Sequence, residues 1–403
     1  MHRFKKITSL NFIFEISFYI LGCSFFFGNA VMSIALAIFI VFSIPIVVNN
    51  FQIKQFIKNW GLIFLCIYFF CHALVLIILA DNLNEFIKIK KLLPFVFLPI
   101  ILFSSRDKLF NSKQVLHNFY KFYVHTALLS FIMSFIYGTY RALFIGTSFN
   151  SIYITYNELS TLFGVQPIYL AVFYLMAILF CMKFIEETPR DNKRYLYFIF
   201  ILSIAIILLS SRTSILMLFI IIVYKLFKSI LKLKTKKALI AIPIIVITSV
   251  VLIQMIPTLK SRTLEFNKNI ASYSGLEFRT KLWKNSYMVF QQSPIYGFGF
   301  YKSQDQLIKQ YKKTNFRRAL INDFNTHNQY LQSSIDAGII GLLSLLIILI
   351  HLIYYSKPDF LQLWFSIIII ISLVSESFLN RQYGILFFTF FASIFFTLKT
   401  KSS

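Results

Sequence analysis

Acidic side chains are scarce in this chain of 403 residues: 15 Asp and Glu stand against 40 Lys and Arg, a formal net charge of +25. Charged residues of both signs make up only 14%, where a soluble domain would carry about a quarter. Cysteine is nearly absent. The four present (Cys23, Cys66, Cys71, Cys181) lie in or beside apolar runs, so no disulfide framework can be argued. The six His show no His-x-x-x-His spacing and no Cys-x-x-Cys occurs, which leaves no ligand set for a structural or catalytic zinc. Gly297-Phe298-Gly299 lacks the third glycine and the strand–helix context of a phosphate loop, so neither a nucleotide site nor any cofactor is expected.

What is abundant is apolar: 58% of residues are hydrophobic, 18% are aromatic, and 49 are Phe. Disordered chains are poor in such residues, which excludes disorder. A nucleic-acid-binding protein would carry its positive charge on a solvated surface rather than among long apolar runs. No nucleic-acid partner is therefore expected. The composition predicts an all-α polytopic membrane protein in contact with membrane lipids.

A spanning helix needs roughly 20 mainly apolar residues. About twelve such runs occur, near 9–28, 30–48, 60–80, 91–104, 119–140, 167–186, 195–210, 213–230, 238–257, 329–354, 360–377 and 382–398. The fourth is short and contains Pro94 and Pro99, so a kinked or re-entrant segment is expected there. Arg3, Lys5 and Lys6 precede the first run, but no small-residue cleavage signature follows, and a retained anchor is expected. The chain then divides into residues 1–256 with nine spans, a large hydrophilic loop at 257–328 with short amphipathic helices, and residues 329–403 with three spans.

Charge sets the orientation. With both termini cytoplasmic, the inner loops hold Lys54, Lys58, Arg106, Lys108, Lys113, Lys183, Arg190, Lys193 and Arg194, the run from Lys225 to Lys237, and Lys399 and Lys401. The short outer loops hold few basic residues, as the positive-inside rule requires. The loop at 257–328 falls on the outer side, with twelve basic residues against Glu265, Glu277, Asp305 and Asp323, a net +8. Long loops translocate largely regardless of charge, so this excess points to an anionic partner outside the cytoplasmic membrane.

Three outer positions carry the chemistry. Arg212, in Ser210-Ser211-Arg212-Thr213, opens the eighth span behind a capping serine. It reads either as a snorkelling arginine at the headgroups or as an anion ligand at a helix N-terminus, whose free amides favour negative charge. Arg279 sits in an amphipathic stretch ended by Ser293-Pro294, with Phe278, Leu282 and Val289 on one stripe and Arg279, Trp283 and Tyr287 beside it. The alternative there is an interfacial helix with Arg279 stacked on Trp283. His327 lies in Asn325-Thr326-His327-Asn328-Gln329-Tyr330; Thr326 and Gln329 have capping-box spacing, placing His327 in a first helical turn, where imidazolium is disfavoured. A polar cap without chemistry is the bland reading. Guanidinium pairs suit a diphosphate, and a neutral histidine suits deprotonation of a hydroxyl. Glu376, an acid where acids are expensive, is expected to pair with one of these bases, either orienting His327 or anchoring an arginine.

These segments resemble the O-antigen ligase and polymerase superfamily. The resemblance rests on Phe278-Arg279 with Trp283, then Ser293-Pro294-Ile295-Tyr296-Gly297-Phe298-Gly299, then His327-Asn328-Gln329-Tyr330-Leu331 with Gly338-Ile339-Ile340-Gly341-Leu342. Arg212, the Tyr156 to Tyr169 stretch and Ser375-Glu376-Ser377-Phe378-Leu379 add to it. It implies a C-type, helical glycosyltransferase scaffold in the bacterial inner membrane with its active site facing the periplasm. The implied reaction is metal-independent, inverting transfer of a glycan from undecaprenyl diphosphate to a sugar hydroxyl of lipid A–core. Arg212 and Arg279 would hold the diphosphate and His327 would activate the acceptor, with Glu376, Asn328 and Tyr330 in support. Polymerases and protein O-oligosaccharyltransferases share these motifs. One dominant loop favours the ligase over a polymerase. A lipid-linked glycan transporter or flippase should carry ionisable groups near the midplane, whereas the notable charges here cluster at outer helix ends.

Overall fold

In hydrocarbon, every backbone N–H and C=O must find a partner within its own segment or against buried protein, and helices are the general solution. The computed structural model describes residues 2–81, 85, 89–110, 113–144, 151–187, 192–233, 275–356 and 359–399. These are helical, with no strand among the described residues. In chain order the main helices are α1 (His2–Cys23), α2 (Gly28–Asn50), α3 (Trp60–Leu79), α4 (Pro94–Ser104), α5 (Lys113–Phe144), α6 (Pro167–Glu187) and α7 (Asn192–Leu208). They continue as α8 (Arg212–Leu233), α9 (Gly275–Gln292), α10 (Gly299–Lys313), α11 (Arg317–Ile321), α12 (Gln329–Tyr355), α13 (Phe360–Ser375) and α14 (Gln382–Lys399). Each expected span coincides with one of these except 238–257, which lies outside the described residues, as does the 257–274 start of the expected loop.

Among the described residues, five segments are long and apolar enough to cross a membrane: Asn11–Asn50, Trp60–Leu79, Gln114–Phe144, Pro167–Glu187 and Gln329–Tyr355. Phe360–Ser375 and Gln382–Leu398 are shorter apolar helices. The first segment is divided at a 3-10 turn, Ser24–Phe27, followed by Gly28 at φ +81°. Outward faces are aliphatic: Ile34, Val41 and Val48 on α2 are 61%, 58% and 77% exposed, a seven-residue stripe that water would disfavour. The described residues are thus all-helical, with five candidate membrane-spanning segments, consistent with a polytopic membrane protein.

The chain forms two compact units. One comprises residues 23–32 and 118–270. Within its described part, α6 is buried almost throughout and packs on α7 and α8. Tyr120 stacks on Phe180 at 4.2 Å, and Arg141 pairs with Glu158 at 2.8 Å while lying over the Tyr153 ring. The other unit comprises residues 1–22, 33–117 and 271–403 and contains α3, α4 and α9 to α14. There α3 packs against α12, α4 against α14, and α13 against α12. Polar caps start its helices: Asn59 Oδ1 accepts from Leu62 N at 3.2 Å, and Asp359 Oδ1 from Leu361 N at 2.8 Å. Asn59 also donates to the Phe396 carbonyl at 2.9 Å, tying α3 to α14.

The amphipathic stripe of α9 faces protein. Leu282 and Val289 are fully buried with Leu307, Tyr311, Ala319 and Ile335, and Phe278 and Trp283 pack against that cluster. The shared apolar face thus builds a small core from α9, α10, α11 and α12. Lys302 clamps this core to the end of α3, donating to the Leu79 carbonyl at 2.9 Å and to Asp81 at 2.5 Å. The hydrogen bond to Asp81 raises its pKa.

One break decides how the core joins α12. At Ala337 (φ −138°) and Gly338 (φ +60°, ψ −153°) the helix leaves its ladder. The Ile335 carbonyl, whose helical partner would be the Ile339 amide, accepts instead from Phe298 N at 2.9 Å, and Ile339 N donates to the Pro294 carbonyl at 2.8 Å. Two backbones meet here so closely that a Cβ on Gly338 would stand 2.1 Å from the Ile295 oxygen, and one on Gly297 2.6 Å from Gly338 N. This is what Ser293-Pro294-Ile295-Tyr296-Gly297 does in the fold. Gly338→Ala is therefore expected to destabilise the protein by about 2 kcal/mol or more, since its φ/ψ region is essentially reserved for glycine. The melting temperature of the detergent-purified variant reads this, and an unchanged value would mean that the two backbones do not meet as described.

Candidate active site

The segment 324–328 enters α12 through a turn that its own side chains hold. Asn325 Oδ1 accepts from His327 N at 3.0 Å, an Asx turn. His327 sits at φ +43°, a left-handed conformation costing a non-glycine residue about 1 kcal/mol. Asn328 is the N-cap of α12, its Oδ1 accepting from Leu331 N at 3.1 Å. His327 therefore lies outside the helix, and Thr326 with Gln329 do not form the expected capping box. The reason is competition. Thr326 Oγ1 lies 2.7 Å from the Asn328 carbonyl and 2.9 Å from Ser377 Oγ, and Gln329 Oε1 accepts from Leu379 N at 2.7 Å. Both side chains are spent on the segment after α13.

That segment brings Glu376 to His327. Glu376 is the C-cap of α13, and its Oε2 lies 3.0 Å from His327 Nδ1. The glutamate side chain is 6% exposed and the histidine 27%, so the acid is buried and the base opens to the surface. A carboxylate only accepts, so it draws the hydrogen onto Nδ1 and leaves the Nε2 lone pair available. Of the two partners left open for Glu376, the structure pairs it with His327. Arg279 reaches the residue before it: Nη1 donates to the Ser375 carbonyl at 2.7 Å. A cation at a helix C-terminus is also favoured by the helix dipole. Tyr330 donates its hydroxyl to the Ile370 carbonyl at 3.2 Å, bracing α12 against α13.

Arg279, His327, Glu376, Asn328 and Tyr330 thus belong to one unit and one set of contacts. Arg212 belongs to the other unit, as the exposed first residue of α8. Ser211 precedes it, its carbonyl accepting from Ile215 N at 2.9 Å, while its hydroxyl donates to Ser214 Oγ at 2.9 Å rather than capping a backbone amide. Sequence reasoning missed Gln332 and Asp336, and it named Thr326 and Ser377 without the contact between them. The signal was present for Gln332 and Asp336, since a Gln and an Asp four residues apart in a spanning segment must find partners.

Fold and site define a class: a polytopic helical membrane protein with an oriented histidine and an anchored guanidinium at helix ends. Residues 197–346 match the family model described as O-antigen ligase. The matched span includes Arg212, Arg279, His327, Asn328 and Tyr330; Glu376 lies beyond it. The chain is also similar to an uncharacterized protein of Haemophilus influenzae, 29% identical over 82 residues. That alignment covers 20% of this chain and 21% of the relative.

The cap gives a direct check. Asn328→Ala should lower stability by about 1 kcal/mol, while Asn328→Asp keeps the cap and most of the stability. Melting of the purified variants measures both. Equal loss in the two would assign the effect to something other than the cap.

Proposed function

We propose that this protein is an O-antigen ligase: a glycosyltransferase that moves a glycan from undecaprenyl diphosphate to a sugar hydroxyl of lipid A–core, with inversion and without a metal. The observation that carries the reading is the His327–Glu376 pair at 3.0 Å with Arg279 fixed to the adjacent residue. The acceptor hydroxyl attacks the anomeric carbon from the face opposite the diphosphate. Its proton passes to His327 Nε2, the bond from the anomeric carbon to the diphosphate oxygen breaks, and the electron pair leaves on the diphosphate. Arg279 binds the diphosphate and offsets the charge developing on it. Glu376 stabilises the imidazolium as it forms, a general-base arrangement worth about 10²–10⁴-fold in rate. The site faces the periplasm of the bacterial inner membrane, with both termini cytoplasmic and twelve spans in all. The net +8 of residues 257–328 then meets phosphate-bearing lipid on that side.

The test is complementation of a deletion strain, read on gels of surface glycans. The wild-type gene should restore lipid A-linked polymer, and the deletion should retain carrier-linked polymer. Attachment of single repeats in the deletion means a polymerase, and accumulation of donor on the cytoplasmic face means a transporter. His327→Ala should abolish attachment while the protein stays inserted, and near-normal attachment removes His327 from the mechanism. Arg279→Lys should lower activity by about 10-fold or more, because an ammonium cannot make the bidentate contact. Purified enzyme should be indifferent to a chelator; loss of turnover restored by a divalent ion would exclude the metal-independent route.

A further inference from the structure

Beneath His327 runs a buried polar chain that the mechanism above does not use. Asp336 stands on α12 immediately before its break, 2% exposed, in a segment long and apolar enough to span the membrane. An acid at such a place is expensive and needs partners. It has two by hydrogen bond, Ser303 on α10 and Gln332 one turn earlier. Gln332 Nε2 donates to Asp336 Oδ1 at 2.9 Å, and its other end, Oε1, lies 3.2 Å from Thr326 Oγ1. Thr326 Oγ1 in turn accepts from the Asn328 amide at 3.2 Å and shares its single hydrogen between Gln332 Oε1 and the Asn328 carbonyl, 2.7 Å away. Thr326 and Ser377 are fully buried, and Gln332 is 2% exposed. No member of the chain can exchange a lost partner for water.

The chemistry of an acid explains why it stands here. An amide side chain has a donor end and an acceptor end, and either may face a neutral polar neighbour. Asp336 Oδ1 accepts the NH₂ of Gln332 and so turns its carbonyl toward Thr326. Reversal would point the NH₂ at Thr326 Oγ1, in competition with the Asn328 amide. The turn so held is the one that keeps His327 left-handed against Glu376. We propose that Asp336 is a positioning residue: through Gln332 and Thr326 it sets the 325–328 turn and so the aim of His327. The proposal rests on the reading of His327 as the base. It also links the α9–α11 core to the site, because Ser303 of α10 bonds the same carboxylate.

The experiment uses the full-length purified protein with undecaprenyl-diphosphate-linked glycan as donor. Asp336→Leu and Gln332→Met are each expected to lower kcat by about 10-fold or more, as misaimed catalytic groups do, with donor KM within about twofold. Asp336→Asn should fall between, since an amide at 336 can present either end. Amide exchange in peptides covering 324–332 should rise by about 10-fold in both variants, with α9 peptides unchanged. Wild-type kcat with wild-type exchange overturns the proposal, as does a rise in KM alone. If Asp336→Leu yields no folded protein, Gln332→Met decides, because it leaves the carboxylate in place. His327→Ala separates the two ideas. If it is inactive while Asp336→Leu and Gln332→Met turn over normally, only the positioning role falls. If His327→Ala itself turns over normally, the base reading falls and the exchange at 324–332 decides whether Asp336 sets the turn.

Discussion

Everything at the site depends on the two backbone hydrogen bonds that cross the break in α12. A helix that stops in the middle of a spanning segment leaves an amide and a carbonyl without partners, and in hydrocarbon each would cost several kcal/mol. Here Phe298 N and the Pro294 carbonyl take the place of the missing rungs at 2.9 and 2.8 Å. The loop between α9 and α10 is thereby held to α12 through backbone as well as side chains. Glycine at 297 and 338 is the condition for that closeness, since a Cβ at either would collide with the facing main chain. The break follows Asp336 directly, and Ser303 of α10 bonds that carboxyl.

From that junction the structure builds upward along α12. Leu282, Val289, Tyr311 and Ile335 form the apolar side of the joint, and Asp336, Gln332 and Thr326 its polar side. The apolar side supplies most of the burial energy, at about 25 cal/mol per Å². Specificity comes from the polar side. Apolar packing tolerates small rotations, whereas a directional chain of hydrogen bonds between buried groups does not. A turn that must hold a left-handed histidine needs that second kind of restraint.

The five long apolar segments were legible in the sequence because the bilayer imposes a length and an apolarity that few other environments demand, and 49 Phe made the runs plain. The cluster of Arg279, His327 and Glu376 was legible as residue types at helix ends, and its internal pairing was not. His327 and Glu376 are 49 positions apart, and nothing local says which base an isolated acid will meet. Helix α9 shows the same limit. A stripe of Phe278, Leu282 and Val289 is the same pattern whether it meets lipid or protein, and only α10 to α12 decide for protein. The N-cap of α12 failed for a related reason: Thr326 and Asn328 are both good caps, and the choice was made by Ser377, far along the chain.

The end of α13 acts as a common ruler for the site. Ser375 and Glu376 are consecutive, and one receives Arg279 while the other receives His327. A displacement of this helix end moves the guanidinium and the imidazole together, so their separation is conserved better than the position of either. Tyr330, bonded to the Ile370 carbonyl one turn back, carries the same reference to the start of α12. The inverting transfer proposed above would need this, because the leaving diphosphate and the attacking hydroxyl would lie on opposite faces of one carbon and the groups serving them must be spaced for both at once. A cation anchored by a carbonyl and a base anchored by the neighbouring carboxylate meet that requirement through a single peptide unit.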